Sequence, residues 1–401
     1  MKYVIVLADG MADYPIEALG GKTPLEAAAS PHMDGISRLG QCGIVKTVPD
    51  SLSPGSDTAN LAVMGYAPEE CYTGRSPLEA VSMGIELDDD DVAMRCNIVT
   101  ISDTEKYEDA TMVDYSSGEI TTAESTILVR YLAEHLETET IKLYPGISYR
   151  HCLVLKHAQT GTDCTPPHDI TGKPIASYLP KGVYGDLLLD IQKKSRELLK
   201  NHPVNLSRIE RGLNPAVTCW FWGEGRRPAL ENFFELHGLR GAVVSAVDLI
   251  KGIGICAGLE SIDVPGVTGT IDTNFDGKAA AAIDALKRGL DFAYIHLEAP
   301  DECGHHGDTD GKRRSIELID EKIVAPLHDY LKSCGEDYAI MVLPDHPTPI
   351  STKTHARDAI PFAMYKSAAP AASGLDYSEK IAAETGLYFE SGKSLMNYFL
   401  K

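Results

Sequence analysis

Carboxylates and imidazoles follow three apolar runs of the chain, and these are residue types that bind divalent metals. They are Asp9 after "YVIVLA", Asp301 and His305 after "FAYIHLEAP", and Asp345 and His346 after "YAIMVLP". Each of them, taken alone, is also what a turn or a helix cap would use. Carboxylate oxygens and neutral imidazole nitrogens bind Zn²⁺ or Mn²⁺, and the mixed set does not decide between these ions.

A further imidazole, His355, lies in "KTHARDAIPF" shortly after the third run. Together these groups exceed what one catalytic metal with an open position takes. They fit two metals about 4 Å apart, which is the spacing of two-metal phosphoryl-transfer sites. We therefore predict a two-metal site, provided that the three runs end at one place.

Phosphoryl transfer needs a nucleophile, and "SLSPGSDTANLAVMGY" at residues 51–66 offers Ser56. Its small neighbours allow a phosphate to approach closely, and N–H groups at the start of the following helix would point at the phosphate oxygens. A metal would lower the pKa of the hydroxyl and make it a better nucleophile. The alternative is that Ser56 only caps the helix.

The three runs are short and almost wholly apolar, which is typical of strands buried on both faces of a parallel sheet. Similar runs occur at 218–223 and 241–246, and helical patterns at 186–201, 276–289 and 312–334 lie between the runs. Strands that alternate with helices predict an α/β fold, a three-layer αβα sandwich around a mostly parallel sheet. Ligands of such sheets bind outside the carboxyl ends of the strands, so we expect the polar groups at one edge.

The alternation breaks between residues 106 and 184. This segment has the pattern of alternating strands around one amphipathic helix, "TAESTILVRYLAEHL", and it closes with a stretch rich in Gly and Pro. We predict a smaller α+β domain at 106–184, inserted between the two parts of a metal-binding core at 1–105 and 185–401.

Composition excludes several classes of protein. The net charge of −21 disfavours non-specific binding to nucleic acid. Nine scattered cysteines without a CxxC pair indicate buried thiols rather than disulfides or a zinc knuckle. The first apolar run is too short for a signal peptide, and no run approaches the length of a membrane span. We expect a cytoplasmic protein that binds neither nucleic acid nor membrane; whether it forms a homo-oligomer stays open.

These residues resemble the alkaline phosphatase superfamily. The stretches "GSDTANLAVMGY", "GRSPLEA", "AMRCNIVT" and "PHDITGKP" are similar, more narrowly, to its archaeal-type cofactor-independent phosphoglycerate mutases, over nearly the whole chain. The resemblance implies that Ser56 becomes phosphorylated. It also implies two ligand sets: Asp9, Ser56, Asp345 and His346 on one metal, and Asp301, His305 and His355 on the other. Near His355 the chain departs from the pattern, since Arg357 stands where relatives often carry a small residue.

A phosphorylated, carboxylated substrate needs basic groups beyond the metals, because Arg binds either group through two hydrogen bonds. The candidates are Arg75, Arg95, Asn97 and Arg211 outside the predicted insert, and His151, Asp169 and Lys173 within it. Any single Arg or Lys among them is also a common surface residue. The insert residues matter only if that domain closes over the metals, as the resemblance implies.

The resemblance implies an isomerase that interconverts 3-phosphoglycerate and 2-phosphoglycerate with Mn²⁺ or Zn²⁺ and without 2,3-bisphosphoglycerate. The same metal–serine core would serve a homoserine kinase-like phosphotransferase that uses ATP, and the sequence does not separate the two. Plain hydrolysis of phosphomonoesters is a third alternative. A non-enzymatic relative that only binds ligands is disfavoured, because all the expected ligand positions carry competent residues.

Overall fold

The strands form two main sheets, and each sheet belongs to a different unit of the computed structural model, which describes residues 1–401. The first unit combines Met1–Tyr72 with Ala229–Lys401, and we call it the split unit. The second, Thr73–Pro228, is called the inserted unit.

The strands and helices have the following bounds. The strands are β1 Lys2–Ala8, β2 Gln41–Val45, β3 Val92–Ile101, β4 Met112–Asp114, β5 Ile141–Tyr144, β6 Arg150–Leu155, β7 Thr162–Asp163, β8 Lys181–Gly182, β9 Thr218–Gly225, β10 Gly241–Val244, β11 Glu260–Ile262, β12 Phe292–Leu297, β13 Tyr338–Leu343, β14 Ile360–Lys366 and β15 Tyr388–Phe389. The helices are α1 Pro24–Ala27, α2 Pro31–Leu39, α3 Ser56–Val63, α4 Pro68–Cys71, α5 Ser76–Ser82, α6 Thr122–Leu136, α7 Gly185–Leu199, α8 Pro203–Glu210, α9 Phe233–His237, α10 Asp248–Cys256, α11 Phe275–Lys287, α12 Ala299–His306, α13 Thr309–Ile319, α14 Ala325–Ser333, α15 Glu379–Glu384 and α16 Gly392–Leu400. None of the helices combines the length and the apolar character needed to cross a membrane.

The sheet of the split unit has the strand order β11-β10-β12-β1-β13-β14-β2-β15. Its strands from β11 to β13 are parallel, and β14 runs antiparallel to both of its neighbours. All of β1 is buried, because helices cover both faces of the sheet: Val4 and Val6 belong to the core that includes residues of α2 and α11, whereas the Tyr3 ring packs on Phe399 of α16. The predicted α/β sandwich of three layers is therefore confirmed.

The sheet of the inserted unit is antiparallel and is centred on β3, which pairs with β4, β6 and β9. Helices α6 and α7 pack on it, and their apolar residues join those of β3, β6 and β9 in one core. The predicted combination of strands with one amphipathic helix is present here, as β4, β5, β6 and α6.

The borders of this unit differ from the predicted ones. The sequence pattern assigns the strand at 218–223 and the helix at 186–201 to the main core, but the structure assigns both, as β9 and α7, to the inserted unit. The reason is that β9 pairs with β3 of the inserted unit and does not join the parallel sheet. The inserted unit accordingly runs from 73 to 228 and not from 106 to 184.

Candidate active site

Three neighbouring strands of the split unit, β12, β1 and β13, end at one edge of the sheet. The predicted metal ligands follow these ends: Asp9 after β1, Asp301 and His305 on α12 just after β12, Asp345 and His346 after β13, and His355 in the loop before β14. Parallel neighbours end on the same side, so the topology itself gathers these groups. The structure brings all of them together with Ser56.

Three of the predicted ligands form a group that solvent hardly reaches, and we call Asp9, Asp345 and His346 the buried cluster. The Nε2 atom of His346 lies 3.6 Å from Asp9 Oδ1 and 3.5 Å from Asp345 Oδ2. The ligand atoms of all three lie within 4.8 Å of one another, so one cation can contact all of them.

The other three ligands, Asp301, His305 and His355, are called the outer cluster. Its two imidazoles face each other with their Nε2 atoms 3.0 Å apart, and they lie 3.2 and 3.5 Å from the carboxylate oxygens of Asp301. The His305 side chain is 35% exposed, so this cluster is open to solvent. His346 borders both clusters, because its ligand atom also lies within 4.8 Å of those of Asp301 and His355.

Ser56 is the first residue of α3, and its hydroxyl contacts the buried cluster. Its Oγ lies 3.3 Å from Asp9 Oδ2 and 3.2 Å from His346 Nε2. The N-cap residue of α3 is Gly55, and no side chain caps this helix. The structure therefore does not favour the alternative in which Ser56 serves only as a cap.

The outer cluster can approach β1 because residue 10 is a glycine. Gly10 has a φ of 62°, and its N–H donates to Asp345 Oδ1 at 3.1 Å. A Cβ at this position would lie 2.6 Å from Asp301 Oδ1 and 2.7 Å from the Asp301 Cα. Only glycine tolerates both the left-handed conformation and this close approach.

Sequence reasoning missed two residues that position Asp345: Asn60, which contacts it, and Tyr294, which contacts Asn60. Asn60 on α3 donates through Nδ2 to Asp345 Oδ2 and to the backbone oxygen of Ser56, both at 2.8 Å. The Tyr294 hydroxyl in β12 donates to Asn60 Oδ1 at 2.6 Å. A buried tyrosine hydroxyl needs a partner, so Tyr294 inside a strand buried on both faces was the available signal.

A histidine on the same face of β12 holds Asp9 and was also missed. The Nε2 of His296 lies 3.0 Å from Asp9 Oδ2, and its Nδ1 lies 3.3 Å from Ser245 Oγ. Burial lowers the pKa of His296 to about 3, which keeps the ring neutral. The available signal was a polar side chain in the middle of the otherwise apolar run "FAYIHL".

The loop that follows His346 is fixed by a buried ion pair. Thr348 donates its hydroxyl to Asp301 Oδ1, and its Oγ1 lies 3.2 Å from His346 Nδ1. Lys312 donates to Asp13 Oδ2 at 2.7 Å and to the backbone oxygen of Thr348 at 2.8 Å. Breaking such a pair would leave an uncompensated buried charge, so it holds the loop firmly between the two clusters.

Burial and neighbouring charges shift the pKa values of Asp9, Asp301 and His305. Burial, followed by the charges of Asp345 and Asp301, raises the pKa of Asp9 well above its usual range. Burial acts in the same direction on Asp301, but the imidazoles of His305 and His355 outweigh it and hold the pKa of Asp301 well below its usual range. The Asp301 carboxylate in turn raises the pKa of His305 to about 9. The site therefore concentrates negative charge that protons or cations must balance.

The residues present fit divalent cations. Asp9 Oδ1 is buried and has no hydrogen-bond partner, although buried polar atoms are rarely left without one. This oxygen faces the imidazole of His346. Carboxylate oxygens and imidazole nitrogens are ligands of Zn²⁺ and Mn²⁺, so the donor set and the unpartnered oxygen agree.

Arg357, which departs from the family pattern, ties two loops of the site together. Its guanidinium donates to the backbone oxygens of Pro49, Asp50 and Leu52 at 3.3–3.4 Å. These residues precede Ser56, whereas Arg357 follows His355. The arginine therefore links the loop before Ser56 to the loop of the outer cluster.

In the inserted unit, Arg95 and Asn97 lie on one face of β3 beside a tryptophan that sequence reasoning missed. The Arg95 Cζ lies 4.5 Å from the centroid of the Trp222 ring, and the Trp222 indole donates to Asn97 Oδ1 at 3.0 Å. Glu79 on α5 accepts from Arg95 Nε at 2.7 Å. The His168 ring packs on Trp222 at 5.2 Å between centroids.

Three further substrate candidates lie near this face. Arg75 is exposed at the start of α5, and the next residue, Ser76, accepts the backbone N–H of Arg95 at 3.2 Å. Asp169 and Lys173 are exposed in the segment of His168, where Lys173 donates to the backbone oxygen of Asp169 at 2.9 Å.

The other two substrate candidates, His151 and Arg211, do not lie on this face of β3. His151 of β6 pairs with Cys96, the residue between Arg95 and Asn97, so its side chain points to the opposite face of the sheet. It is buried there and accepts the N–H of Gly146 at 2.9 Å. Arg211 is bound by Glu124 of α6.

Comparisons with known proteins agree with this architecture. Residues 37–205 match the family described as 2,3-bisphosphoglycerate-independent phosphoglycerate mutase. A protein of that name from Methanothrix thermoacetophila is 48% identical over 400 residues, which cover 100% of both chains. One from Methanosarcina barkeri is 53% identical over 368 residues, which cover 92% of this chain and 91% of the relative.

Two solved structures share the fold. A Pyrococcus horikoshii protein superposes with a TM-score of 0.82 at 27% identity, covering 100% of this chain and 96% of the other. The cofactor-independent phosphoglycerate mutase of Thermoplasma acidophilum superposes with a TM-score of 0.69 at 23% identity, covering 100% and 99%.

Proposed function

The chain belongs to the 2,3-bisphosphoglycerate-independent phosphoglycerate mutase family, and on that premise we propose that it interconverts 3-phosphoglycerate and 2-phosphoglycerate through a phosphoserine at Ser56. One observation carries the assignment of the nucleophile: the Ser56 Oγ contacts Asp9 Oδ2 at 3.3 Å and His346 Nε2 at 3.2 Å. The start of α3 adds backbone N–H groups and the positive end of the helix dipole beside the same oxygen.

The proposed reaction conserves every group. The Ser56 Oγ bonds to phosphorus while the bond from phosphorus to the 3-oxygen of the substrate breaks, and that oxygen gains the equivalent of the proton that Ser56 loses. The bound glycerate then turns, and its 2-oxygen bonds to phosphorus while the Oγ–phosphorus bond breaks. The proton of the 2-hydroxyl returns to Ser56, so neither 2,3-bisphosphoglycerate nor another phosphate donor is consumed.

Two divalent cations, Mn²⁺ or Zn²⁺, are proposed to bind at the site, one at the buried cluster with Ser56 and one at the outer cluster. When bound, they would lower the pKa of the serine hydroxyl and neutralise charge on the phosphoryl oxygens. The residues of the chain itself contribute by fixing the position of Ser56 relative to the carboxylates. Asn60 ties the backbone of Ser56 to Asp345, so the nucleophile and its neighbouring carboxylate hold one geometry.

The inserted unit is proposed to bind the glycerate part of the substrate. Arg75 is exposed and forms no ion pair, which leaves its guanidinium available for a carboxylate. The residue after Arg75, Ser76, accepts the backbone N–H of Arg95, and Asn97 lies on the same face of β3 as Arg95. Asp169 and Lys173 belong to the segment whose His168 packs on Trp222. Retaining glycerate and excluding water separates a mutase from a phosphatase, and we assign this role to the inserted unit.

The test is a turnover assay on Mn²⁺-loaded protein with 3-phosphoglycerate as the sole phosphate ester. We expect 2-phosphoglycerate to form without added bisphosphate, and mass spectrometry of acid-quenched protein should find phosphate on the Ser56 peptide. Ser56→Ala should lower turnover by at least about 10³-fold. A strict need for 2,3-bisphosphoglycerate, or unchanged turnover in Ser56→Ala, would contradict the proposal.

A parallel assay with ATP and homoserine addresses the alternative acceptor. Phosphohomoserine without any 2-phosphoglycerate would move the assignment to a phosphotransferase on the same core. Release of inorganic phosphate without an isomer would indicate a phosphatase.

A further inference from the structure

Three hydrogen bonds in series, two of them buried, cross the ends of β10, β12 and β1 and finish on Asp9. The series begins at the backbone N–H of Val247, 3.0 Å from Ser245 Oγ just beyond β10. Ser245 Oγ lies 3.3 Å from Nδ1 of His296. The Nε2 of His296 lies 3.0 Å from Asp9 Oδ2, and all three side chains are shielded from solvent.

The direction of each bond follows from the two ends of the series. A backbone N–H can only donate, so Ser245 Oγ accepts from Val247. At the other end the Asp9 carboxylate can only accept, so Nε2 of His296 carries the hydrogen and donates to Asp9 Oδ2. A neutral imidazole with its hydrogen on Nε2 accepts at Nδ1, and the donor within reach of Nδ1 is the Ser245 hydroxyl.

This donation makes the two oxygens of Asp9 different. Oδ2 accepts from His296, whereas Oδ1 is buried, has no hydrogen-bond partner and lies 3.6 Å from Nε2 of His346. The carboxylate is thus anchored by one oxygen, while the other faces the buried cluster. The Ser56 hydroxyl also lies 3.3 Å from Oδ2, so a change at His296 would remove the shorter of the two hydrogen bonds on this oxygen and loosen the orientation of Oδ1.

We propose that His296 is a positioning residue that presents Oδ1 of Asp9 to the cation of the buried cluster, and that Ser245 holds His296 in the required tautomer. The inference rests on the proposed function in one respect, since it takes Asp9 as a metal ligand. Groups that orient metal ligands in this way typically change metal affinity by about 10- to 100-fold.

The test titrates metal-free protein with Mn²⁺ by calorimetry and compares three variants. His296→Leu removes the N–H and should weaken one of two sites by about 10- to 100-fold while leaving the other unchanged. His296→Gln keeps an amide N–H near the position of Nε2 and should recover most of the affinity. Ser245→Ala frees the tautomer and should fall between these two.

A matched control separates this role from the general loss of a buried histidine. His328 is also buried, and its Nε2 lies 3.1 Å from the hydroxyl of Tyr338, at the opposite end of β13 from the site. His328→Leu should lower stability but leave both Mn²⁺ affinities unchanged. If His296→Leu does not fold, Ser245→Ala and His296→Gln carry the comparison with the wild type.

Nitrogen NMR gives a second readout that does not depend on activity. The ¹⁵N shifts of His296, assigned by their absence in His296→Gln, should show hydrogen on Nε2 and none on Nδ1. Hydrogen on Nδ1, or wild-type Mn²⁺ affinity in both Ser245→Ala and His296→Leu, would overturn the inference while the proposed function stands. Wild-type protein that binds no divalent metal would overturn both.

Discussion

The buried cluster and the outer cluster use the same residue types, but the fold prepares them to different degrees. In the buried cluster, Asp345 accepts hydrogen bonds from the backbone N–H groups of Gly10 and His346 and from the side chain of Asn60. In the outer cluster, the hydrogen bonds that His305 and His355 form beyond the cluster go to backbone oxygens, at 3.0 and 3.4 Å. The buried cluster is therefore shaped by groups at the ends of the strands and on α3, whereas the outer cluster is shaped by its loops.

The loops of the outer cluster also hold backbone strain. Lys353 has a φ of 55° although it is not a glycine, and its backbone oxygen is the one that lies 3.0 Å from His305 Nδ1. Left-handed backbone costs a residue with a side chain of order 1 kcal/mol or more, and it persists where surrounding contacts impose it. The outer cluster therefore depends on a less favourable local conformation than the buried cluster does.

The largest effect is expected from Asp345→Ala, which removes the centre of the buried cluster. Turnover should fall by at least about 10³-fold, and excess Mn²⁺ should not restore it. The change leaves N–H groups of Gly10, His346 and Asn60 without their acceptor, at about 1–3 kcal/mol for each that stays unpaired. Steady-state assays and urea unfolding of the metal-loaded protein measure both losses. If high Mn²⁺ restored the turnover of Asp345→Ala, the predicted difference between the two clusters would be wrong.

A smaller effect, of about 10²-fold on turnover, is expected from His355→Ala in the outer cluster. Asp301 and His305 remain in place, so raising the Mn²⁺ concentration should recover part of the activity. The matched control is His306→Ala, an exposed neighbour whose ring contacts Glu302 at 3.6 Å; it should leave turnover unchanged. If no Mn²⁺ concentration restores turnover in His355→Ala, the outer cluster is as sensitive as the buried cluster, and the proposed difference between them is wrong.

Arg357→Ala tests whether the outer loops communicate with the nucleophile. The change frees the backbone oxygens of Pro49, Asp50 and Leu52, and we expect turnover to fall by about 10-fold because Ser56 is then less well positioned. The bonds are long and exposed, so stability should change by less than about 1 kcal/mol. Mn²⁺ affinity at the buried cluster should not move, and calorimetry that shows it weakened would refute this division of roles.

The smallest effect on the site is expected from Glu379→Gln, because Glu379 contacts Asp13, the partner of Lys312, and not the clusters themselves. Glu379 accepts the N–H of Asp13 at 3.2 Å and the hydroxyl of Thr23 at 2.7 Å. Burial raises the pKa of Glu379 to about 7, so the folded state keeps its proton where the unfolded chain has lost it. Stability from this group is therefore greatest below about pH 4.5 and falls as pH rises towards 7.

The variant removes this pH dependence because glutamine does not titrate. Glu379 keeps some exposed surface, so we expect a gain of only about 1–2 kcal/mol at pH 8 and none at pH 4.5. Urea unfolding at the two pH values measures it. Both Mn²⁺ affinities should equal those of the wild type, and a gain at pH 4.5 as large as at pH 8 would rule out titration as the cause.

The architecture of the site could be predicted because its signals are local. Asp9, Asp301 and Asp345 each follow an apolar run, and the carboxyl ends of parallel strands share an edge whatever the other contacts are. The placement of β9 could not be predicted in this way. An apolar run of six residues shows that a strand is buried, but the sheet that it joins depends on its partner, which for β9 is the distant β3.

The supporting groups escaped prediction for a related reason. Tyr294 and His296 lie inside an apolar run, where their partners Asn60 and Asp9 are more than 200 residues away in sequence. The face on which His151 lies was equally hidden from the sequence. It depends on the pairing register of β6 with β3, which places His151 opposite Cys96.

The connectivity of β1 has a consequence for the order in which the protein is made. The two neighbours of β1 are β12 and β13, so this strand has no partner until Leu297 has been synthesised and lacks its second partner until Leu343. The inserted unit needs nothing beyond Pro228. At about 5–20 residues per second, synthesis of the roughly 110 residues between the end of that unit and β13 takes several seconds or more. We therefore expect the inserted unit to fold before the sheet of the split unit is complete.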